Sequence, residues 1–313
     1  MRGLFVLLLL ILAACGQPTQ TSKNWNQNDG KIKVLSTTAM INDLVQHVGG
    51  EFVSSQALIQ GNLDPHSYQL VKGDDEKLSD ADLVIHNGLG LEHGAGLHYF
   101  IEHSTKTVSL GDYLLVNHAD RLLSVHGQHD PHIWLDLELF SETIPAIVQA
   151  LQKRDPKHSD SYAENGKKWM EELQKLHKEI KDELQSIPNE KRYLVTSHDA
   201  FNYFTRAYLA APGEAREEWE MRFQAPEGLA PDTQISSADV RQVIDHIGRY
   251  QVRVIFPESN VSRDSIKKIV DAATEKGISV HIATEPLYGD AMGPGNYQEM
   301  LKHNAQTLKR YLK

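Results

Sequence analysis

Residues 159–187 read SDSYAENGKKWMEELQKLHKEIKDELQSI, and Tyr162, Trp169, Leu173, Leu176, Ile180, Leu184 and Ile187 recur in them at spacings of three, four and seven. That spacing lays one apolar stripe along a helix of about seven or eight turns, stopped by Pro188. A helix this long can cross a whole domain, so 157–188 reads as a strut between two halves. A surface helix of one domain would show the same period.

Outward from the strut, both flanks alternate strand-like and helix-like pieces. Before it, Ile32–Ser36, Phe52–Ile59, Leu83–His86 and Thr107–Leu110 read as strands. Met40–Val48 has helical spacing, Glu76–Asp80 and Glu92–His103 are amphipathic, and Leu137–Lys153 is a helix interrupted by Pro145. After it, strands Tyr193–Thr196, Val252–Phe256 and Val280–Thr284 are separated by helices Ala200–Leu209, Ser237–Tyr250 and Arg263–Lys276, with a last helix from Asn296 to Leu312. Gly213–Asp232 shows no period and reads as an irregular excursion. Strands alternating with helices predict an α/β fold, with parallel sheets covered on both faces. The expected division is 31–156 for an N-terminal lobe, 157–188 for the linking helix and 189–313 for a C-terminal lobe. About 280 residues suit two such lobes.

The N-terminus bounds the compartment. Residues 1–15 carry Arg2, an apolar run Leu4–Leu12, and Leu12-Ala13-Ala14-Cys15, which is too short to span a bilayer and reads as a signal peptide. Cys15 is the only cysteine, so no intramolecular disulfide is possible. Residues 16–30 are polar, with Gly, Pro and amides, and read as a flexible tether. Without Arg2 the chain holds 31 Lys and Arg against 42 Asp and Glu, a formal charge near −11. That balance argues against nucleic acid and against anionic lipid as partners.

Two Asp-Pro-His tripeptides, Asp64–His66 and Asp130–His132, stand beside Ser197-His198-Asp199 and Gly289-Asp290. His66, His198 and Asp290 follow strand-like segments, where open α/β sheets bind their ligands. Three imidazoles and one carboxylate suit a tetrahedral divalent metal: Zn²⁺ first, with Mn²⁺ or Fe²⁺ also plausible. Asp64, Asp130 and Asp199 lie close enough in sequence to orient the imidazoles, and Asp64 could instead be a fifth ligand. Pro65 and Pro131 restrict the backbone before each histidine.

Asp64–Tyr68, Asp130–Asp136, Ser197–Phe204 and Pro286–Asp290 resemble the four signature stretches of the cluster A-I metal-binding lipoproteins, the ZnuA/TroA type of extracytoplasmic receptor for zinc, manganese and iron ABC importers. Asn87-Gly88-Leu89 and Ala225–Leu229 fit the same pattern, and the segment ending at Cys15 resembles a lipobox. The resemblance implies two α/β lobes joined by a rigid helix, with a metal site of His66, His132, His198 and Asp290 in the cleft between them. It implies lipidation at Cys15, anchoring outside the cytoplasm, delivery to a membrane permease with its ATPase, and a monomer. Histidine at the third position, His198, leans towards zinc. His93-Gly94-Ala95-Gly96 departs from the more apolar continuation the resemblance leads one to expect. A weak secondary metal site at His126 and His129 is a further expectation.

Two other classes fit less well. A zinc hydrolase keeps an open coordination position and a general base, for which Glu258 or Asp64 could be cast, but no His-Glu-x-x-His, Gly-x-Ser-x-Gly or Walker loop is present. A surface adhesin or metal buffer without a transport role would need a protein-binding patch that these residues do not encode.

Overall fold

Strand β1 (Ile32–Ser36) buries Val34 in one apolar cluster and Leu35 in another, so both of its faces are covered, as parallel sheets require. The structure, a computed structural model, describes residues 30–231 and 235–313. The expected signal peptide with Cys15, and the tether up to residue 29, lie outside the described residues.

In the first half, α1 (Ala39–Gly49) leads to β2 (Val53–Ala57), α2 (Asp74–Asp80) to β3 (Leu83–His86), and α3 (Ala95–His103) to β4 (Thr107–Ser109). These strands form one all-parallel sheet in the order β2-β1-β3-β4, with Ile32 opposite Val53, Val34 opposite Leu83 and Val84 opposite Thr107. Next come α4 (Leu110–Asn117) and a hairpin of β5 (Ser124–Val125) and β6 (Gln128–His129). His126 and Gly127 turn the hairpin at φ 50° and 82°, the left-handed pair of a two-residue hairpin loop.

The stretch read as one interrupted helix is two, α5 (Leu137–Ser141) and α6 (Ile144–Arg154). Pro145 sits in the first turn of α6, where its missing N–H is not needed. α7 (Ser159–Gln185) has 27 residues, about 40 Å of helix. It buries Tyr162, Trp169, Leu173, Leu176, Ile180 and Leu184. Asn165 Nδ2 donates to Val48 O of α1 at 3.1 Å, and Glu183 pairs with Lys309 of the last helix at 3.1 Å, so α7 bonds to both halves. Its stripe lies within one continuous core that includes Val34 and Leu308. Leu173→Ala should therefore destabilise the protein by about 2–5 kcal/mol, read from urea unfolding. A cost below about 1 kcal/mol would mean that the stripe does not carry the core.

The second half holds β7 (Leu194–Val195), α8 (Asn202–Phe204) running into a π-helical turn over Thr205–Leu209, α9 (Arg216–Trp219), β8 (Phe223–Gln224), α10 (Ser237–Tyr250), β9 (Val254–Ile255), α11 (Asp264–Glu275), β10 (His281–Ile282) and α12 (Tyr297–Leu312). β7 pairs in parallel with β8 and β9 with β10, and Phe256 N donates to Val195 O at 2.8 Å to join the pairs. The segment read as an irregular excursion thus contains a strand. Two residues are too few to show a period. No described helix is long and apolar enough to cross a membrane.

Candidate metal centre

The two Asp-Pro-His turns are built alike. Asp64 Oδ1 accepts the His66 amide at 2.9 Å, and Asp130 Oδ1 accepts the His132 amide at 2.9 Å. Such aspartate-capped turns fix the backbone locally. Asp130 Oδ1 also accepts from His132 Nδ1 at 2.7 Å, which leaves the Nε2 lone pair facing the centre. Asp64 spends its second oxygen on Ser67 Oγ at 2.5 Å and so organises the turn.

His198 is held differently. Glu258 Oε1 accepts the Ser197 and His198 amides at 3.1 and 2.9 Å, and Oε2 stands 2.8 Å from His198 Nδ1. A Cβ on Gly289 would lie 2.3 Å from Glu258 Oε2, so only glycine lets that carboxylate lie against the loop before Asp290. Trp134 Nε1 donates to Gly289 O at 2.8 Å, and Tyr297 Oη donates to Trp134 O at 2.5 Å. The loops of His132 and Asp290 are thereby tied across the two halves.

These loops bring His66, His132, His198 and Asp290 together with one ligand atom of each within 4.8 Å of the others, all four buried. His66 Nε2 is 3.3 Å from His132 Nε2 and 3.8 Å from Asp290 Oδ2. Asp290 Oδ1 is 3.4 Å from His132 Nε2, and Oδ2 is 3.2 Å from His198 Nε2. A tetrahedron with bonds of ~2.0–2.1 Å has edges of about 3.3 Å. His198 Nε2 and Asp290 Oδ1 are buried without a hydrogen-bond partner, a condition that a cation at the centre relieves.

The charges agree. Burial raises the Asp290 carboxyl, but the surrounding imidazoles, His198 foremost, outweigh it and hold it well below the usual carboxylate range. Burial pulls His132 down, yet the charges of Asp130 and Asp290 prevail and push it up to about 9. His198 is likewise buried, and Glu258 and Asp290 raise it well above the ordinary imidazole value.

Asp199, expected beside His198, is engaged elsewhere. Asn202 Nδ2 donates to its Oδ1 at 2.8 Å and to Asp130 Oδ2 at 3.0 Å. Burial, and then the neighbouring Asp130 charge, push the Asp199 carboxyl up to about 6. The carboxylate at His198 Nδ1 is Glu258, sixty residues away in sequence, so no local motif could reveal it. With its oxygens on the His198 loop, Glu258 stands behind a candidate ligand and is misplaced for the base of a hydrolase. Glu258→Gln is expected to weaken Zn²⁺ binding about 10–100-fold, measured by chelator competition; unchanged affinity would remove it from the site.

A cleft of about 830 Å³ opens onto His66, with His93, His126 and His129 along its wall. Ser124 Oγ lies 3.4 Å from His129 Nδ1. Among the described residues no third metal-type donor converges on His126 and His129.

Residues 34–311 match the family model ZnuA, "Zinc-uptake complex component A periplasmic". The chain belongs to this family. The metal-binding protein YtgA of Chlamydia trachomatis is 37% identical over 307 residues, covering 97% of this chain and 94% of its own. The manganese-binding lipoprotein MntA of Bacillus subtilis is 32% identical over 309 residues, covering 96% and 95%. The crystal structure of Fe(III)-bound YtgA superposes with a TM-score of 0.85 at 37% identity over 90% of this chain and 98% of that one. The periplasmic zinc-binding protein TroA of Treponema pallidum gives 0.80 at 30%, over 90% and 99%. Both chains share the α/β fold with parallel sheets and a long helix. As a ZnuA-family member the chain is a metal-binding component of an ABC metal transporter and not an enzyme.

Proposed function

We propose that this protein captures one divalent transition-metal ion outside the cytoplasm, at His66, His132, His198 and Asp290, and hands it to the permease of an ABC importer. The observation that carries this reading is the convergence of four buried donor atoms within 4.8 Å, from positions spread over 225 residues. Four protein ligands close the coordination sphere, which suits carriage and leaves no position for a substrate. Two ligands come from a lobe taken as 31–156 and two from a lobe taken as 189–313, with 157–188 between them. A permease that parts these lobes separates one ligand pair from the other and frees the ion. Lipid on Cys15 would keep the receptor, acting as a monomer, at the membrane face.

Zinc is the favoured cargo, since three imidazoles and one carboxylate match its preferences and Zn²⁺ outranks Mn²⁺ and Fe²⁺ at such a site. Iron is the second reading, and the observation for it is the 37% identity to YtgA, whose crystal structure is described as Fe(III)-bound. The test is metal content by mass spectrometry after stripping the protein and offering Zn²⁺, Mn²⁺, Fe²⁺ and Fe³⁺ in competition. One equivalent of a single metal, with a melting point that tracks occupancy, is expected. No stoichiometric metal would overturn the assignment.

A further inference from the structure

Residues 87–94, just past β3, contain Gly88, Leu89 and Gly90 at φ 74°, 54° and 81°. Gly88 and Gly90 adopt this backbone freely, whereas Leu89 holds it only where its surroundings fix it. Glu92 supplies the fixing. Its Oε1 accepts the Asn87 amide and Thr37 Oγ1, each at 2.7 Å, and its Oε2 accepts the Gly88 amide at 3.1 Å. Successive amides gripping one carboxylate form a cradle, and here the carboxylate is buried, with His86 Nδ1 3.8 Å away. From the other side the Gly111 amide donates to Asn87 O at 2.7 Å.

The loop so held reaches both candidate ligand loops of the first half. Asn87 is fully buried, and its Nδ2 donates at 2.9 Å to Pro131 O, the carbonyl just before His132. A few residues on, a Cβ on Gly94 would stand 1.8 Å from Tyr68 O, so the chain there lies directly against the loop that presents His66. This contact accounts for the glycine in His93-Gly94-Ala95-Gly96.

We propose that Glu92 is a positioning residue for metal capture: it clamps the Asn87–Gly88 amides and, through Asn87 Nδ2 on Pro131 O, sets the place of His132. The proposal rests on His132 being a ligand. Glu92→Gln turns an amide NH₂ against one of three donors and loosens the clamp. In the full chain, Zn²⁺ affinity by chelator competition is expected to fall roughly tenfold. Asn87→Ala removes the link to Pro131 while leaving Glu92 intact, and should lose a similar factor even if the Glu92 variant does not fold. The readout that separates positioning from general scaffolding is a double-mutant cycle with His132→Ala. In that background either change should cost less than about twofold, because the side chain through which it acts is gone. Wild-type affinity in Asn87→Ala, or an equal loss with and without His132, would overturn the role of Glu92. A His132→Ala protein that binds Zn²⁺ like wild type would instead overturn the ligand assignment beneath it.

Discussion

Asp290→Ala is expected to abolish stoichiometric metal binding under conditions where the wild type takes one equivalent. Among the described residues, Asp290 is the only carboxylate whose oxygens face the Nε2 atoms of all three imidazoles, at 3.2 to 3.8 Å. Removing one partner from a buried charge set costs about 3–5 kcal/mol, roughly 10²–10⁴ in Kd. Asp290→Asn keeps the shape and removes the charge. It should fall almost as far, since an amide oxygen is a weak donor and its NH₂ repels the ion. His66→Ala, His132→Ala and His198→Ala should each cripple binding too. Competition titration against a chelator of known affinity measures all of them, and near-wild-type affinity in any two would sink the site.

The second large effect is in pH. A metal needs neutral imidazoles, whereas in the metal-free protein His132 is pushed up to about 9 and His198 is raised well above the ordinary value. At pH 7 these groups hold protons that the ion must displace. Affinity should therefore rise with pH up to about 9, and fall below it by about 10–100-fold per unit for one to two displaced protons. Calorimetry at pH 7 in buffers of different ionisation enthalpy counts the protons, and zero released would contradict the arrangement. The metal-free protein carries the opposite dependence. A histidine with a raised folded pKa stabilises fully below its unfolded value of about 6.5, and that contribution is lost as pH rises through about 9. Metal-free melting points should thus drop between those limits.

Much of this was legible because the signals were local. The apolar stripe of α7, the apolar strand Ile32–Ser36 and the helix Ser237–Tyr250 follow from short-range spacing and composition. The four candidate ligands stand in short local motifs, Asp-Pro-His twice, Ser197-His198-Asp199 and Gly289-Asp290. What escaped was long-range. Glu258 behind His198, Trp134 on Gly289 O and Asn87 against Pro131 O join segments with no shared pattern. β8 escaped because two residues gain strand character only by pairing with β7. Asp199 was misassigned because adjacency in sequence stood in for direction. Its backbone amide bonds Gly228 O while its carboxylate meets Asn202.

The apolar cluster around α7 does not stop at the cleft: it includes Leu44 and Ile147 from one side and Tyr208 and Leu301 from the other. Neither side can lose its structure without exposing surface of its neighbour, so the polypeptide is expected to melt as one cooperative unit. Ion capture between the ligand loops then stabilises every part of the core that opens only by global unfolding. At a free concentration a thousand times Kd the stabilisation against global unfolding is about 4 kcal/mol, a margin against proteolysis of the unfolded chain that a bound ion supplies.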